Sequence, residues 1–290
     1  MVKKYSELYR ETRKALLPID GPHQAGATAR ELLQLASGKS AAELLADGEK
    51  FADASVCNAL EAYVQRMEKG EPLAYILGEW EFYGLKIFVT PDVLIPRDDT
   101  VAVTEIAIRQ ALFLDPNPRI LDLCTGSGCI GLAIASRVKD AKVTLADLSR
   151  EALAVAKKNV TLHHMTGRVS CVQADAMADP PSFLGQFDMI VSNPPYIDAK
   201  DMQTLEISVR DFEPHMALSG GEDGLDFYRS ITEKYRQNLK PGGSLCYEFG
   251  EDQGDSVCQI LAANGFAVRQ RVKDYHGTER AVIAQYCAEE

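Results

Sequence analysis

Apolar residues in the second half of the chain come in short runs separated by longer amphipathic segments. The runs predict strands over 120–124, 142–146, 169–173, 189–192 and 244–249, and the segments between them predict helices over 129–138, 149–163 and 227–239. Strands that alternate with helices usually pair in parallel, so this half predicts an α/β fold with helices on both faces of a sheet. Two further runs, 267–273 and 280–286, are separated by too few residues for a crossover helix and predict an antiparallel edge pair.

The first 75 residues carry apolar positions at helical spacing and predict helices only. Thr28 with Glu31, and Ser40 with Glu43, fit the capping-box pattern that begins a helix, and a longer helix is predicted over 53–69. Aromatic and β-branched residues follow and predict a β-hairpin. We therefore expect a helical domain over 1–75, a hairpin connector over 76–97, and a main domain over 98–290.

Composition narrows the functional classes. The chain has 31 Lys and Arg against 42 Asp and Glu, a net charge of −11, which disfavours nucleic acid as a direct partner. No apolar run approaches the roughly 18 residues of a membrane helix, and none follows the basic N-terminus, so neither a membrane span nor a signal peptide is expected. Seven cysteines, with no Cys-x-x-Cys pair, predict reduced thiols in a cytoplasmic protein and no metal site.

A glycine-containing loop after the first predicted strand is the candidate cofactor site. Ligands of parallel sheets bind beyond the carboxyl ends of the strands, and glycines there let a ligand approach the backbone. Asp147 ends the second strand, where a carboxylate accepts hydrogen bonds from ribose hydroxyls; Asp175, beside Ala176, ends the third, where it suits an adenine amino group. The candidate residues on the loop itself are Asp122, Cys124, Thr125, Gly126, Ser127 and Gly128.

The same loop also fits a different cofactor. Gly126, Gly128 and Gly131 form a Gly-x-Gly-x-x-Gly pattern that, together with Asp147, imitates a dinucleotide-binding fingerprint. Asp122 favours S-adenosylmethionine instead, because its carboxylate would repel a pyrophosphate but suits the ammonium of a methionine moiety.

The segment Asn193-Pro194-Pro195-Tyr196 follows the fourth predicted strand and supplies the candidate catalytic residues. Residues before proline are extended, and prolines have no N–H, so the segment offers acceptors: the Asn193 side-chain oxygen and the Pro194 carbonyl. Two acceptors match the two hydrogens of an NH₂ group, and Tyr196 can lie against the flat face of the group that carries it. These residues predict methylation of a planar amino or amide nitrogen without choosing between adenine and glutamine.

Several motifs together resemble the HemK/PrmC family of protein-(glutamine-N5) methyltransferases. The resemblance runs from about Glu71 to Tyr286. Besides the loop at Asp122 and the segment at Asn193, it includes 72–78, 81–84, 93–97, 212–214, 220–225, Asp274-Tyr275 and Glu279-Arg280.

The resemblance implies a seven-stranded class I S-adenosylmethionine-dependent methyltransferase fold, Rossmann-like, with an N-terminal helical domain that docks the protein substrate. It implies methylation of the glutamine in the Gly-Gly-Gln loop of peptide chain release factors. It also implies that Asn193, Pro194 and Tyr196 form a clamp that holds the substrate nitrogen. Cofactor contacts are implied for residues 125–128, Asp147 and Asn193. The family usually has Gly where Cys124 stands, and Pro-Glu-Thr-Glu where Asp98-Asp99-Thr100-Val101 stands.

Three alternatives stay open on the residues alone: a ribosomal-protein glutamine as acceptor, an exocyclic amino group of RNA or DNA, and a non-catalytic adaptor. The acidic charge weighs against the second alternative, and the acceptor-only segment beside the cofactor loop weighs against the third. Asp198 and Glu213 are candidates for accepting the proton that the methylated amide releases.

Overall fold

The computed structural model describes residues 3–287. Two strands form a hairpin and seven form a larger sheet. They are β1 (Glu79–Phe82), β2 (Leu85–Phe88), β3 (Arg119–Leu123), β4 (Lys142–Asp147), β5 (Val169–Gln173), β6 (Phe187–Ser192), β7 (Leu239–Glu248), β8 (Phe266–Lys273) and β9 (Glu279–Tyr286).

The larger sheet has the order β5-β4-β3-β6-β7-β9-β8. Neighbours from β5 to β7 are parallel, whereas β9 runs antiparallel to both β7 and β8. The predicted α/β fold, with a parallel sheet and an antiparallel edge pair, is confirmed. Strand β7 begins five residues earlier than predicted, at Leu239, because the helix before it ends sooner.

Ten α-helices lie among the described residues. They are α1 (Tyr5–Ser37), α2 (Ala41–Ala46), α3 (Ala54–Glu68), α4 (Leu73–Leu77), α5 (Val101–Ala111), α6 (Cys129–Arg137), α7 (Arg150–Leu162), α8 (Ile207–Arg210), α9 (Asp226–Lys234) and α10 (Gly254–Ala263). Within residues 3–287, none of the helices is both long and apolar enough to cross a bilayer.

The chain divides into two compact units. One contains the residues up to Glu79 together with Ile207–Phe212, and the other contains Trp80–Glu206 and the residues from Glu213 onward. The first unit has a core of apolar side chains from its helices, among them Leu16, Leu32 and Leu60. The domain limits expected at 75 and 97 stay predictions.

One of the two predicted capping boxes is confirmed and the other is wrong. At Ser40, the hydroxyl accepts a hydrogen bond from the Glu43 N–H and the Glu43 carboxylate accepts one from the Ser40 N–H. Thr28 instead lies inside α1, where its hydroxyl donates to the Gln24 carbonyl. The interruption of α1 lies earlier, at Gly21 (φ 71°), because Pro22 can begin a helical turn without the N–H it lacks.

The hairpin β1–β2 turns at Tyr83 and Gly84, and its formation confirms the predicted β-hairpin. Both turn residues have positive φ, 52° and 75°, as a two-residue type I′ turn requires. Asn159 of α7 fixes the second strand: its Oδ1 accepts from Phe88 N at 2.8 Å, and its Nδ2 donates to Phe88 O at 2.9 Å. The same Nδ2 donates to Ser127 O at 2.9 Å, so one buried amide connects the hairpin to the candidate cofactor loop.

Replacing Asn159 with alanine should lower the free energy of unfolding by about 3 kcal/mol, because the partly buried backbone groups of Phe88 and the buried carbonyl of Ser127 would lose their partners. Urea denaturation measures the loss. The control is Thr161→Ala on the same helix, where an exposed hydroxyl is removed and a change within about 0.5 kcal/mol is expected. Equal losses in the two variants would contradict the role assigned to the Asn159 amide.

Candidate active site

The strand order reverses between β3 and β6, and this reversal creates the site. The chain proceeds from β3 to β4 and β5 on one side, and β6 then returns to pair with the other side of β3. Ligands of open α/β sheets bind in the crevice that such a reversal leaves at the carboxyl ends of the strands. Leu123, the last residue of β3, is in register with Ser192, the last residue of β6. The loops that begin at Cys124 and Asn193 therefore leave the sheet side by side.

A cavity lies at this edge of the sheet. Its lining brings together residues predicted as cofactor-binding and as catalytic: Cys124, Gly126, Asp147, Asp175, Ala176, Asn193 and Pro195. Apolar side chains from the neighbouring loops, including Leu94, Leu148 and Met216, complete the wall. The arrangement suits a ligand that is flat and apolar in part and carries a few polar groups.

Backbone conformation explains the composition of the loop. Cys124 (φ 60°), Gly126 (φ 53°) and Gly128 (φ 84°) all occupy the left-handed region that favours glycine. A glycine at position 124, as the family usually has, would adopt this conformation without the strain that Cys124 bears. A Cβ on Gly126 would meet no atom within 4 Å, so this residue faces open space, whereas one on Gly128 would lie 3.0 Å from Leu145 Cδ1.

Asp122 lies behind the loop, completely buried. Its Oδ2 accepts hydrogen bonds from Thr125 Oγ1 at 2.7 Å and from Gly131 N at 2.8 Å, and so ties the loop to the start of α6. Burial raises the pKa of its carboxyl to about 7, against the lowering effect of these two bonds. Its Oδ1 has no hydrogen-bond partner among the described residues. Direct contact with an ammonium group stays a prediction.

Gly131 is a site residue that the sequence interpretation used only in the rival dinucleotide pattern. A Cβ at this position would lie 2.3 Å from Leu145 Cδ2 and 2.9 Å from Asp122 Oδ2. Because Gly131 has no Cβ, α6 packs directly on β4 and the Gly131 N–H reaches Asp122. The third glycine of the pattern therefore holds the loop in place through helix–strand packing.

The other two carboxylates lie on the cavity wall and are held by backbone N–H groups. Asp147 accepts from Gly126 N at 2.8 Å and from Ser149 N at 3.0 Å, and burial raises the pKa of its carboxyl. Asp175 accepts from Met177 N at 2.7 Å. Each carboxylate oxygen keeps a second lone pair, so both groups can still accept hydrogen bonds from a ligand. Thr125 and Ser127 are buried, and neither lines the cavity in the part of the chain that the structure describes.

The segment from Asn193 to Tyr196 is fixed at both ends. The Ser192 hydroxyl donates to Leu123 O at 2.6 Å, and Gln253 Nε2 donates to Tyr196 O at 2.9 Å. Pro194 and Pro195 between these points are buried. The Asn193 side chain donates from Nδ2 to Thr100 Oγ1 at 3.3 Å, a partner that the sequence did not reveal.

Two glycines of the 220–225 motif allow the chain to pass close behind Tyr196. A Cβ on Gly220 would lie 2.7 Å from Tyr196 Cα, and one on Gly224 would lie 2.3 Å from Tyr196 O. Any side chain at either position would push Tyr196 out of place. Burial raises the pKa of the Tyr196 hydroxyl, which stays protonated.

Several charged residues near this segment are held by ion pairs or by backbone N–H groups. Arg280 contacts Asp99 at 3.4 Å and Asp274 at 3.1 Å, which gives Asp99 a partner where the sequence departs from the family pattern. Glu213 is buried and pairs with Arg97, and it also accepts from the Ile95 N–H. Asp198 accepts from the N–H groups of Lys200 and Asp201. Neither proton-acceptor candidate, Glu213 or Asp198, lines the cavity formed by residues 3–287.

Comparison with known proteins matches both units. Residues 7–78 match the model of the PrmC N-terminal domain, and residues 106–212 match that of the methyltransferase small domain. A solved methyltransferase from Pyrococcus furiosus is 20% identical with a TM-score of 0.52, covering 77% of this chain and 98% of the other. At that identity the likeness concerns the fold alone.

Curated relatives extend the match over most of the chain. The release factor glutamine methyltransferase of Clostridium acetobutylicum is 41% identical over 77% of this chain and 78% of its own length. That of Geobacter sulfurreducens is 40% identical over 87% of this chain and 86% of its own length. The resemblance inferred from the motifs is thereby confirmed, and the chain belongs to the family of release factor glutamine methyltransferases.

Proposed function

We propose that this protein transfers a methyl group from S-adenosylmethionine to the side-chain nitrogen (N5) of the glutamine in the Gly-Gly-Gln motif of peptide chain release factors. The names of its relatives support this substrate. The observation that carries the chemistry is the orientation of Asn193. Its Nδ2 donates to Thr100 Oγ1, which leaves the oxygen of the same amide as the acceptor for a substrate N–H, and Asn193 lines the cavity.

The residues at the cavity fit S-adenosylmethionine. The open space at Gly126 admits a ligand to the backbone, Asp147 can receive the ribose hydroxyls, and Asp175 can receive the adenine amino group. In its ionised form, the Asp122 carboxyl supplies negative charge behind the loop through its unpartnered Oδ1, where the methionine ammonium is expected. When bound, the cofactor supplies an electrophilic methyl group on a sulfonium.

The clamp formed by Asn193, Pro194 and Tyr196 can prepare a poor nucleophile, the glutamine amide nitrogen, for attack on the methyl group. The lone pair of a glutamine amide is delocalised into its carbonyl, so the nitrogen must pyramidalise before it can attack. Asn193 Oδ1 and the Pro194 carbonyl can each accept one N–H of the substrate, and Tyr196 can support the amide plane. Holding the nitrogen in this geometry contributes up to roughly 7–11 kcal/mol of barrier reduction, the range for well-oriented reactants.

The proton released from nitrogen needs no dedicated carboxylate. A protonated amide is a strong acid, and solvent takes its proton readily. Glu213 is already paired with Arg97, and Asp198 is engaged by two backbone N–H groups. We therefore assign neither residue to this step.

Asn193→Ala should lower kcat by about 100-fold or more, since removing one positioned partner of a reacting group has an effect of that order. The dissociation constant for S-adenosylhomocysteine, measured by calorimetry, should change less than about tenfold. Asn264→Ala, which removes an amide at the end of α10, is the matched control and should keep wild-type turnover. Wild-type turnover in Asn193→Ala would refute the clamp.

A second experiment tests the acceptor. Radiolabelled methyl should pass to a release factor of the source organism, and the label should disappear when the glutamine of its Gly-Gly-Gln motif becomes alanine. Ribosomal proteins and total RNA serve as competing acceptors in the same assay. Label on either of them, with none on the release factor, would overturn the proposed substrate.

The cofactor assignment gives a third prediction. Asp147→Ala should raise the dissociation constant for S-adenosylhomocysteine by about 10- to 100-fold, because charge-assisted hydrogen bonds contribute about 1.5–3 kcal/mol. Asp140→Ala, which removes an exposed carboxylate after α6, should leave this constant unchanged. Unaltered binding in Asp147→Ala would exclude this carboxylate as a cofactor ligand.

A further inference from the structure

The buried carboxyl of Glu248, on the strand next to the one that Asn193 follows, is neither a cofactor ligand nor part of the clamp. Glu248, the last residue of β7, is 1% exposed, and its Oε2 has no hydrogen-bond partner among the described residues. Ser192 of β6 is in register with Tyr247 of β7. The next residues along the two strands, Asn193 and Glu248, therefore lie at the same level of the sheet. A buried carboxylate beside a reacting segment, with no ion pair among the described residues, requires an explanation.

Thr100 completes this group. It is 2% exposed and ends the single 3₁₀ turn Asp98–Thr100 that precedes α5. Its Oγ1 accepts from Asn193 Nδ2 at 3.3 Å, and the side chains of both Thr100 and Asn193 lower the pKa of the neighbouring Glu248 carboxyl. The Asn193 NH₂ has two hydrogens, which Thr100 and Glu248 can therefore occupy between them. The amide oxygen is then the only polar atom left to face the cavity.

We propose that Thr100 and Glu248 are positioning residues for methyl transfer, which hold the Asn193 amide in the orientation that presents its oxygen to the substrate nitrogen. The inference rests on the proposed function, in which that oxygen accepts an N–H of the substrate. An amide rotated by 180° would present its own NH₂ to the substrate NH₂, and two donors cannot bond to each other. A planar amide has no internal preference between the two orientations, so the selection has to come from its neighbours.

The charge of Glu248 determines which way the hydrogen bonds run. An ionised carboxylate only accepts, whereas a protonated one also donates and can reverse the bonds. Burial raises the pKa of Glu248 to about 7; Thr100 lowers it, Asp99 raises it, and Arg280 and Asn193 lower it. The other titratable groups that face this carboxylate, and whose own pKa it raises, are Tyr196, Cys129 of α6 and Tyr228 of α9.

The first test compares two substitutions at one position. Thr100→Val keeps the shape and removes the hydroxyl, so kcat with release factor as substrate should fall about tenfold or more, the effect of losing about 1.4 kcal/mol. Thr100→Ser restores the hydroxyl and should recover most of the lost kcat. KM and the calorimetric affinity for S-adenosylhomocysteine should change little in either variant. Thr232→Val removes another buried hydroxyl, which bonds Tyr247, and serves as the control for stability alone.

The second test is the pH profile. In the wild type at saturating S-adenosylmethionine, kcat should fall as the pH is lowered through about 7, because protonation of Glu248 removes the acceptor; the Asp122 carboxyl, whose pKa is also about 7, then acts on cofactor affinity and not on kcat. Glu248→Gln cannot ionise and should lack this limb. The pH test uses no Thr100 variant, so it does not depend on how well those variants fold. Each profile is normalised to its own maximum, so a smaller folded fraction of Glu248→Gln does not change its shape.

Persistence of the acidic limb in Glu248→Gln, or wild-type kcat in a folded Thr100→Val, would overturn the inference. Equal losses in Thr100→Val and Thr100→Ser would do the same, because they would indicate a packing effect. Failure of the inference is distinguishable from failure of the proposed function. An inactive Asn193→Ala beside a fully active Thr100→Val rejects only the positioning role, whereas an active Asn193→Ala rejects the clamp itself.

Discussion

The pairing of β3 with β6 is the constraint on which the candidate active site depends. Because Leu123 and Ser192 end these strands in register, the loop for a cofactor and the segment for an acceptor nitrogen begin as neighbours. The Ser192 hydroxyl secures this arrangement with a bond to the Leu123 carbonyl. Neither loop needs to be long or flexible to reach the other, so a methyl donor and its acceptor can meet on rigid strand ends.

Buried polar contacts give this edge of the sheet its precision. Asp122 holds the loop through Thr125 and Gly131, and Asn159 holds it through the Ser127 carbonyl. The reacting groups themselves stand in front of this layer. A site that must align a weak nucleophile benefits from such support, because errors of about an ångström in position strongly reduce rates.

The sequence predicted the features that depend on local pattern and failed where tertiary contacts decide. Strand and helix periodicity, the hairpin and the Ser40 capping box were recoverable because each is set within a few residues. The capping pattern at Thr28 was misleading, since Pro22 had already restarted the helix. The link of Thr100 and Glu248 to Asn193 was out of reach, because both are distant from Asn193 along the chain and only the folded sheet brings them together.

The Asn159 amide has a consequence for dynamics. It bonds the backbone of Phe88 in the hairpin and the carbonyl of Ser127 in the loop, so the two segments share one buried anchor. A ligand that stabilises the loop must also oppose local opening of the hairpin, because binding to the closed state shifts the equilibrium away from the open one. The Phe88 amide proton therefore reports, by its rate of exchange with solvent, whether a loop to which it does not belong is occupied.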